Sequence, residues 1–197
     1  PKSKPNIITG SFIKGEGYKK IIEFDFKFDV VFGNPPYNSG GIQSKKGTKV
    51  GKKTIWPLFF DKSLEYLNDN MYLCFITPGS WVSLQSDSQR FLDNQLLYIK
   101  FYNYAKALEL FGKASGKIPL TYYLLQKSNT KNDTQIYDNC LDKFILFNIY
   151  DNYFIPVEII GIIKKMINLT IKYGSLETYY SNTRFSTTSN ITNIPTK

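Results

Sequence analysis

The stretch that decides the fold is Asp29-Val-Val-Phe-Gly-Asn34-Pro35-Pro36-Tyr37. The short β-branched and aromatic run over residues 28–32 is typical of a buried parallel strand, and two consecutive prolines cannot continue it. We therefore predict a central strand over residues 28–32 that ends at Gly33. The segment after it, Asn34 to Tyr37, is then expected at the carboxyl end of that strand, where open α/β sheets bind their ligands.

The segment Asn34 to Tyr37 suits chemistry on the exocyclic amino group of a planar substrate such as adenine. Such an amine is a poor nucleophile because its lone pair is delocalised into the ring. The side-chain carbonyl of Asn34 and the main-chain carbonyl of Pro35 can both accept from the NH₂, which localises the lone pair on nitrogen and aims it. Pro36 fixes the turn, and Tyr37 offers a flat face to a base taken out of its stack. We predict these four residues as the catalytic group.

The segment resembles motif IV, Asn-Pro-Pro-Tyr, of the S-adenosylmethionine-dependent N6-adenine DNA methyltransferases of the restriction–modification type. Residues 7–12, Ile-Ile-Thr-Gly-Ser-Phe, are similar to the Gly-Asp-Phe strand end that precedes motif IV in that family. Residues 72–81 are similar to the next strand, which ends in a Pro-Gly-Ser-Trp turn. The resemblance extends from about residue 6 to about residue 127.

This resemblance implies an α/β fold, a Rossmann-like methyltransferase sheet of mixed direction with an antiparallel end strand. The family's strand order is 3-2-1-4-5-7-6, in which residues 6–12 would be the third strand and residues 28–32 the fourth. Strands one and two are not found in this sequence, so we expect a partial sheet whose fourth strand has a bare apolar edge. A missing N-terminal half or a partner chain is expected to complete the sheet.

The resemblance also implies a function, site-specific methylation of adenine N6 in double-stranded DNA with S-adenosylmethionine as cofactor. The positions that match the family's cofactor contacts are Ser11, Phe12 and Asn34, and no metal is required. Two features depart from the family: its Phe-x-Gly-x-Gly loop is absent, and Ser11 stands where the family usually carries an Asp. We therefore expect this chain alone to bind S-adenosylmethionine poorly or not at all.

Two alternatives to DNA methylation remain open at the level of sequence. Enzymes that methylate protein glutamine use the same tetrapeptide, so RNA or a protein glutamine is an alternative substrate. The missing cofactor features favour a third interpretation for the isolated chain, a non-catalytic methyltransferase fragment that serves as a binding or structural protein.

The charge of the chain, a net +9, is concentrated around the Asn-Pro-Pro-Tyr strand. Residues 1–66 hold 12 Lys and 6 acids, which leaves +6, and the remaining residues contribute +3. This distribution favours a polyanionic partner, although a Lys-, Asn- and Ile-rich composition explains it equally well. Residues 39–53 are predicted to form a loop that either holds DNA phosphates or is simply solvated. Its lysines are Lys45, Lys46, Lys49, Lys52 and Lys53.

The rest of the chain alternates strand and helix patterns, and we divide it at residue 150. Residues 1–150 are predicted to be a partial methyltransferase domain, and residues 151–197 a helix with a polar C-terminal extension. Trp81 is expected near the same sheet end as Tyr37, either lining the substrate pocket or packed in the core. The two cysteines, far apart in sequence, indicate a reduced intracellular or cytoplasmic setting, and we see no signal peptide or membrane span. The predicted strands are residues 71–77, 97–102, 120–126 and 144–149, and the predicted helices are 54–69 with Thr54 as cap, 86–94, 106–111 and 156–169.

Overall fold

The structure, a computed structural model, describes residues 8–23, 26–39, 53–82, 88–112, 118–152, 155–156 and 160–174. These residues include a six-stranded mixed sheet of order β1-β2-β4-β3-β5-β6. The strands are β1 (Phe28–Gly33), β2 (Leu67–Pro78), β3 (Gln95–Tyr102), β4 (Leu120–Gln126), β5 (Thr134–Asp138) and β6 (Lys143–Phe147). The helices are α1 (Gly15–Ile22), α2 (Trp56–Tyr66), α3 (Gln89–Leu92), α4 (Tyr104–Phe111), α5 (Ile149–Asn152) and α6 (Ile160–Tyr173).

The order and directions of the first four strands confirm the predicted methyltransferase sheet. β1 runs parallel to β2, and β4 lies antiparallel between β2 and β3. When β1 and β2 take the places of the family's fourth and fifth strands, β1-β2-β4-β3 reproduces the segment 4-5-7-6. The fold is therefore a Rossmann-like α/β sheet of mixed direction. The antiparallel strand β4 is not an end strand as expected, because β5 and β6 extend the described sheet beyond β3.

One face of the sheet carries the hydrophobic core. In β2, Leu73, Phe75 and Thr77 alternate inward, and each lies beside a buried residue of β4. Helix α2 covers this face because Trp56 and Phe60, one turn apart, both lie inward and are at most 1% exposed. The opposite face is only partly buried, and there Cys74 lies beside half-buried tyrosines.

Three sequence predictions about elements are wrong. The described residues ahead of β1 contain no strand where one was expected over residues 6–12, since residues 8–14 form bends and α1 follows. The helix predicted over residues 54–69 ends earlier, because β2 already begins at Leu67 and Asn70 takes a positive φ of 64° in an irregularity of that strand. No strand was predicted where β5 forms, over Thr134–Asp138, and this strand pairs in parallel with β3.

The chain divides into two compact units, Pro1–Ile160 and Gly161–Lys197. The described part of the second unit consists of the body of α6 and Gly174. In α6 the apolar side chains Ile162, Met166 and Leu169 are each more than half exposed. No described helix has the length and apolar character needed to span a membrane.

Candidate active site

β1 delivers the Asn-Pro-Pro-Tyr segment to the carboxyl edge of the sheet, as predicted. The strand ends at Gly33, whose neighbour across the parallel ladder is Phe75 of β2. Asn34 and Pro36 are exposed, whereas Pro35 is buried and Tyr37 is partly buried. The segment is thus anchored through one proline and presents an amide and an aromatic ring at the surface.

A side-chain hydrogen bond links Asn34 with Tyr37. Burial raises the pKa of Tyr37 above its usual value of 10.0, and the bond from Asn34 lowers it by a smaller amount. Tyr37 is therefore neutral at physiological pH. The carbonyl oxygen of the Asn34 amide is the atom that can accept from a substrate amine.

The chain on either side of residues 40–52 is paired at its base. Asn38 and Thr54 form an antiparallel bridge, and Ser39 N donates to Lys53 O at 2.8 Å. Tyr37 O accepts from Ile55 N at 2.9 Å. This pairing places the residue after the prolines against the start of α2.

Thr54 does not cap α2, contrary to the prediction. The N-cap position is Ile55, whose side chain cannot accept, and no side-chain bond closes the helix there. The main-chain carbonyl of Tyr37 acts instead, since it accepts from Ile55 N and, at 3.4 Å, from Trp56 N. No sequence pattern signals this contact, because the acceptor is a backbone atom 18 residues away from Ile55.

Of the five lysines predicted to bind phosphate, the structure describes one. Lys53 is exposed and takes part in the paired base through its main-chain atoms. Lys45, Lys46, Lys49 and Lys52 lie outside the described residues.

Trp81 is a core residue, which corrects its assignment as a substrate-binding candidate. Its side chain is fully buried and stacks on Phe91 of α3 with ring centroids 3.4 Å apart and planes 5° apart. The indole Nε1 donates to Thr121 Oγ1 at 3.0 Å, which satisfies its only polar atom. The turn after β2 therefore directs this ring into the sheet and not towards Tyr37.

Phe12 and Ser11 do not form a cofactor site by themselves. The Phe12 ring stacks on Phe59 at 5.7 Å and meets the edge of Tyr66 at 5.1 Å, while its carbonyl accepts from Tyr66 Oη at 3.0 Å. Ser11 is exposed. A neighbouring cavity of about 250 Å³ is lined by apolar side chains and Tyr66. It offers no carboxylate for a ribose or an ammonium group, so the described residues here do not fit S-adenosylmethionine.

A close backbone approach explains why this region is not the expected strand end. Gly10 has a φ of 130°, and a Cβ placed on it would lie 2.9 Å from the backbone of Gly17. The two glycines let residues 10–11 turn back onto the first turn of α1. Gly15 and Gly17 therefore belong to the first turn of α1, and Gly17 packs against the backbone of Gly10. Among the described residues, no cluster of His, Cys, Asp and Glu is arranged to hold a metal ion.

Solved structures of methyltransferases overlap with parts of this chain. The type I restriction enzyme EcoKI M protein is 15% identical over 66% of this chain, with a TM-score of 0.43. A methyltransferase subunit of a type I restriction-modification system from Streptococcus thermophilus is 19% identical over 77%, with a TM-score of 0.41. A putative class I S-adenosylmethionine-dependent methyltransferase from Listeria monocytogenes is 17% identical over 56%, with a TM-score of 0.37.

This chain spans only about a third of the length of these proteins. The overlap covers 28% of the EcoKI M protein, 33% of the Streptococcus thermophilus subunit and 35% of the Listeria monocytogenes protein. No curated protein matches the chain at a significant level.

A family model supplies the assignment. The model described as Eco57I restriction-modification methylase matches residues 9–111, which is 103 of the 197 residues and just over half of the chain. The matched region runs from the residues ahead of α1 to the end of α4 and contains the Asn-Pro-Pro-Tyr segment. The chain belongs to the Eco57I restriction-modification methylase family.

Proposed function

We propose that this chain supplies the amine-activating part of a DNA methyltransferase that methylates adenine N6 within a restriction–modification enzyme. The observation that carries the proposal is the position of Asn34 to Tyr37 directly after β1, at the carboxyl end of that strand, on a sheet with the methyltransferase strand order. Family membership supports a methylase, and the exposed amide of Asn34 beside Pro35 and Tyr37 supports an amino group as the acceptor.

Asn34 and Pro35 act on the acceptor amine. The Asn34 carbonyl oxygen and the Pro35 main-chain carbonyl accept hydrogen bonds from the amine, so its lone pair becomes localised on nitrogen and points away from both acceptors. Burial of Pro35 fixes its carbonyl relative to β1. With its NH₂ group turned towards Tyr37, the Asn34 amide would present its oxygen to the substrate amine.

Tyr37 and the lysines act on the base and the DNA backbone. The Tyr37 ring is partly buried, which holds it in place, and its remaining surface stacks on a flipped base. The lysines of residues 45–53 neutralise phosphates regardless of sequence, which supplies affinity without base choice.

S-adenosylmethionine is the methyl donor in this proposal, because its sulfonium methyl group needs no metal or covalent enzyme intermediate for transfer. Ser11 and Phe12 retain the position of the family's cofactor strand end in the sequence. In this proposal a partner chain supplies the cofactor contacts that Ser11 and Phe12 do not make, and pairs with the free edge of β1.

The experiment supplies the full protein with S-adenosylmethionine and three acceptors, namely duplex DNA, RNA of the same sequence and glutamine-containing peptides. Mass spectrometry of the digests identifies the methylated group. N6-methyladenine formed in DNA, and lost in Asn34→Ala, supports the proposal. Methylation confined to RNA or to glutamine overturns the assignment of substrate, and methylation of none of the three supports a binding or structural role.

A further inference from the structure

Ser39 makes three hydrogen bonds to one residue on the other side of residues 40–52. Its amide donates to Lys53 O at 2.8 Å, and its hydroxyl donates to the same oxygen at 3.2 Å. Lys53 N in turn donates to Ser39 Oγ at 3.2 Å. Because the hydroxyl both donates to and accepts from Lys53, this side chain binds both main-chain polar groups of that residue.

The bonds of Ser39 lie next to the contacts that fix Tyr37. The bridge Asn38–Thr54 follows directly, and Tyr37 O then accepts from Ile55 N at 2.9 Å and Trp56 N at 3.4 Å. Residues 37–39 therefore pair in order with residues 55–53, as a short continuous ladder. The bonds of Ser39 and those of Tyr37 therefore lie in one continuous pairing, so a change at Ser39 can reach Tyr37.

The inner end of this ladder is attached to the core. Trp56 is 1% exposed and packs against Phe91 with ring centroids 6.4 Å apart. Phe60, one turn along α2, is fully buried and lies 4.9 Å from the same ring. The start of α2 is therefore rigid, whereas Ser39 and Lys53 lie nearer the surface. Ser39 is the side chain that keeps the outer end of the ladder closed.

We propose that Ser39 is a positioning residue for Tyr37. It closes the pairing between residues 37–39 and 53–55, so that the Tyr37 carbonyl remains on the first N–H groups of α2 and its ring keeps one orientation. The proposal rests on the proposed function for its catalytic consequence, although the positioning itself does not. Loss of the hydroxyl weakens the pairing between residues 37–39 and 53–55. Tyr37 can then move away from Asn34.

The test compares Ser39→Ala and Ser39→Thr with the parent in the full protein. Thr keeps a hydroxyl on the same carbon, and so it rescues the contact. Ser128→Ala is the matched control, since its hydroxyl bonds Thr130 in a turn after β4, at the opposite edge of the sheet. Two readouts do not need activity: hydrogen exchange of the Ile55 amide, and the pKa of Tyr37 from NMR of the ring-labelled protein.

We expect Ser39→Ala to speed exchange of the Ile55 amide by about tenfold or more, since local opening of the base then costs less. The pKa of Tyr37 falls towards its ordinary value, because the ring is less buried. Ser39→Thr and Ser128→Ala keep the parent values. Parent-like exchange and an unchanged Tyr37 pKa in Ser39→Ala overturn the proposal.

The single-turnover methylation rate separates this proposal from the proposed function. A misplaced Tyr37 is expected to lower the rate of Ser39→Ala by about tenfold with DNA affinity unchanged within a few fold, because a small displacement of a positioned group is costly. If the parent protein has no activity but Ser39→Ala still changes the pKa of Tyr37, the proposed function is wrong and the positioning role of Ser39 stands. A parental rate in Ser39→Ala with a displaced Tyr37 overturns the catalytic consequence of Ser39.

Discussion

At the scale of single residues, Asn34 is the side chain on which the proposed chemistry depends. Its side chain is exposed at the end of β1, and its amide oxygen is the atom that can accept from an amine. We expect Asn34→Ala to lower methylation in the full protein at least tenfold, a loss of about 1.4 kcal/mol or more. DNA affinity remains within a few fold, because phosphates supply most of it. Rate and filter-binding measurements check both, and a mutant above a tenth of the parent rate contradicts the role.

Tyr37 contributes a ring and a hydroxyl, and two substitutions separate them. Tyr37→Phe removes the hydrogen bond with Asn34 and keeps the stacking face, so we expect a loss of several-fold in turnover with base flipping retained. Tyr37→Ala also removes the stacking, which is worth about 1–3 kcal/mol. Fluorescence of 2-aminopurine at the target position reports flipping. Equal flipping signals in the two mutants contradict the stacking assignment.

The sequence predicted where Asn34 to Tyr37 lie, because four adjacent residues directly after a strand determine that position. Their catalytic roles stay a prediction. The cap of α2 by the Tyr37 carbonyl and the role of Ser39 depend on backbone atoms and on a pairing across residues 40–52. Trp81 was ambiguous in sequence because a large ring serves a pocket or a core equally well, and only the stacking on Phe91 decides.

At the scale of elements, strands with a clear apolar pattern and firm ends were predicted well. β4 was predicted over its observed residues, and β1 within one residue of its end. β5 was missed because it is short and its sequence has little apolar character. Its pairing with β3, which the sequence does not show, stabilises it as a strand. The expected strand at residues 6–12 failed because its neighbours in the family's sheet do not occur among the described strands.

The lysines of residues 45–53 carry a prediction at this scale. Replacing Lys45, Lys46, Lys49, Lys52 and Lys53 with Gln is expected to weaken binding to specific and nonspecific duplexes alike. The slope of log affinity against log salt should fall by up to about 0.9 for each lost phosphate contact. Lys106→Gln, in a surface pair with Glu109 on α4, is a control that should leave the slope unchanged. An unaltered slope in the five-lysine mutant shows a solvated segment.

The outer edge of β1 carries another prediction. Among the described residues β1 pairs only with β2, and Phe32 is 80% exposed. Unpaired apolar edges associate with other strands, so we expect Phe32→Lys to reduce self-association of this chain in sedimentation velocity. Leu110→Lys is the matched control, because Leu110 is 49% exposed and lies on helix α4, away from any strand edge. If both substitutions reduce self-association equally, exposed apolar surface in general causes the association, and not the edge of β1.

At the scale of the whole molecule, tyrosines with a raised pKa make the stability of the fold depend on pH in the alkaline range. Burial raises the pKa of Tyr66 and of Tyr98 to about 12. An unfolded tyrosine ionises near about 10, so the folded state holds these protons more tightly and gains stability below that pH. We expect urea midpoints to be constant up to about pH 10 and to fall between about 10 and 12. Tyr98→Phe should make this fall shallower, and an identical pH profile would contradict the assignment.

The paired base between Tyr37–Ser39 and Lys53–Ile55 has a consequence for how such an enzyme changes over evolution. Because the ends of residues 40–52 are held together by hydrogen bonds of their own, the length between them is decoupled from the position of Asn34 and Tyr37. Doubling a closed segment costs only about 0.6 kcal/mol in chain entropy. Insertions and deletions between residues 40 and 52 can therefore be accommodated while Asn34 and Tyr37 remain where β1 and α2 place them.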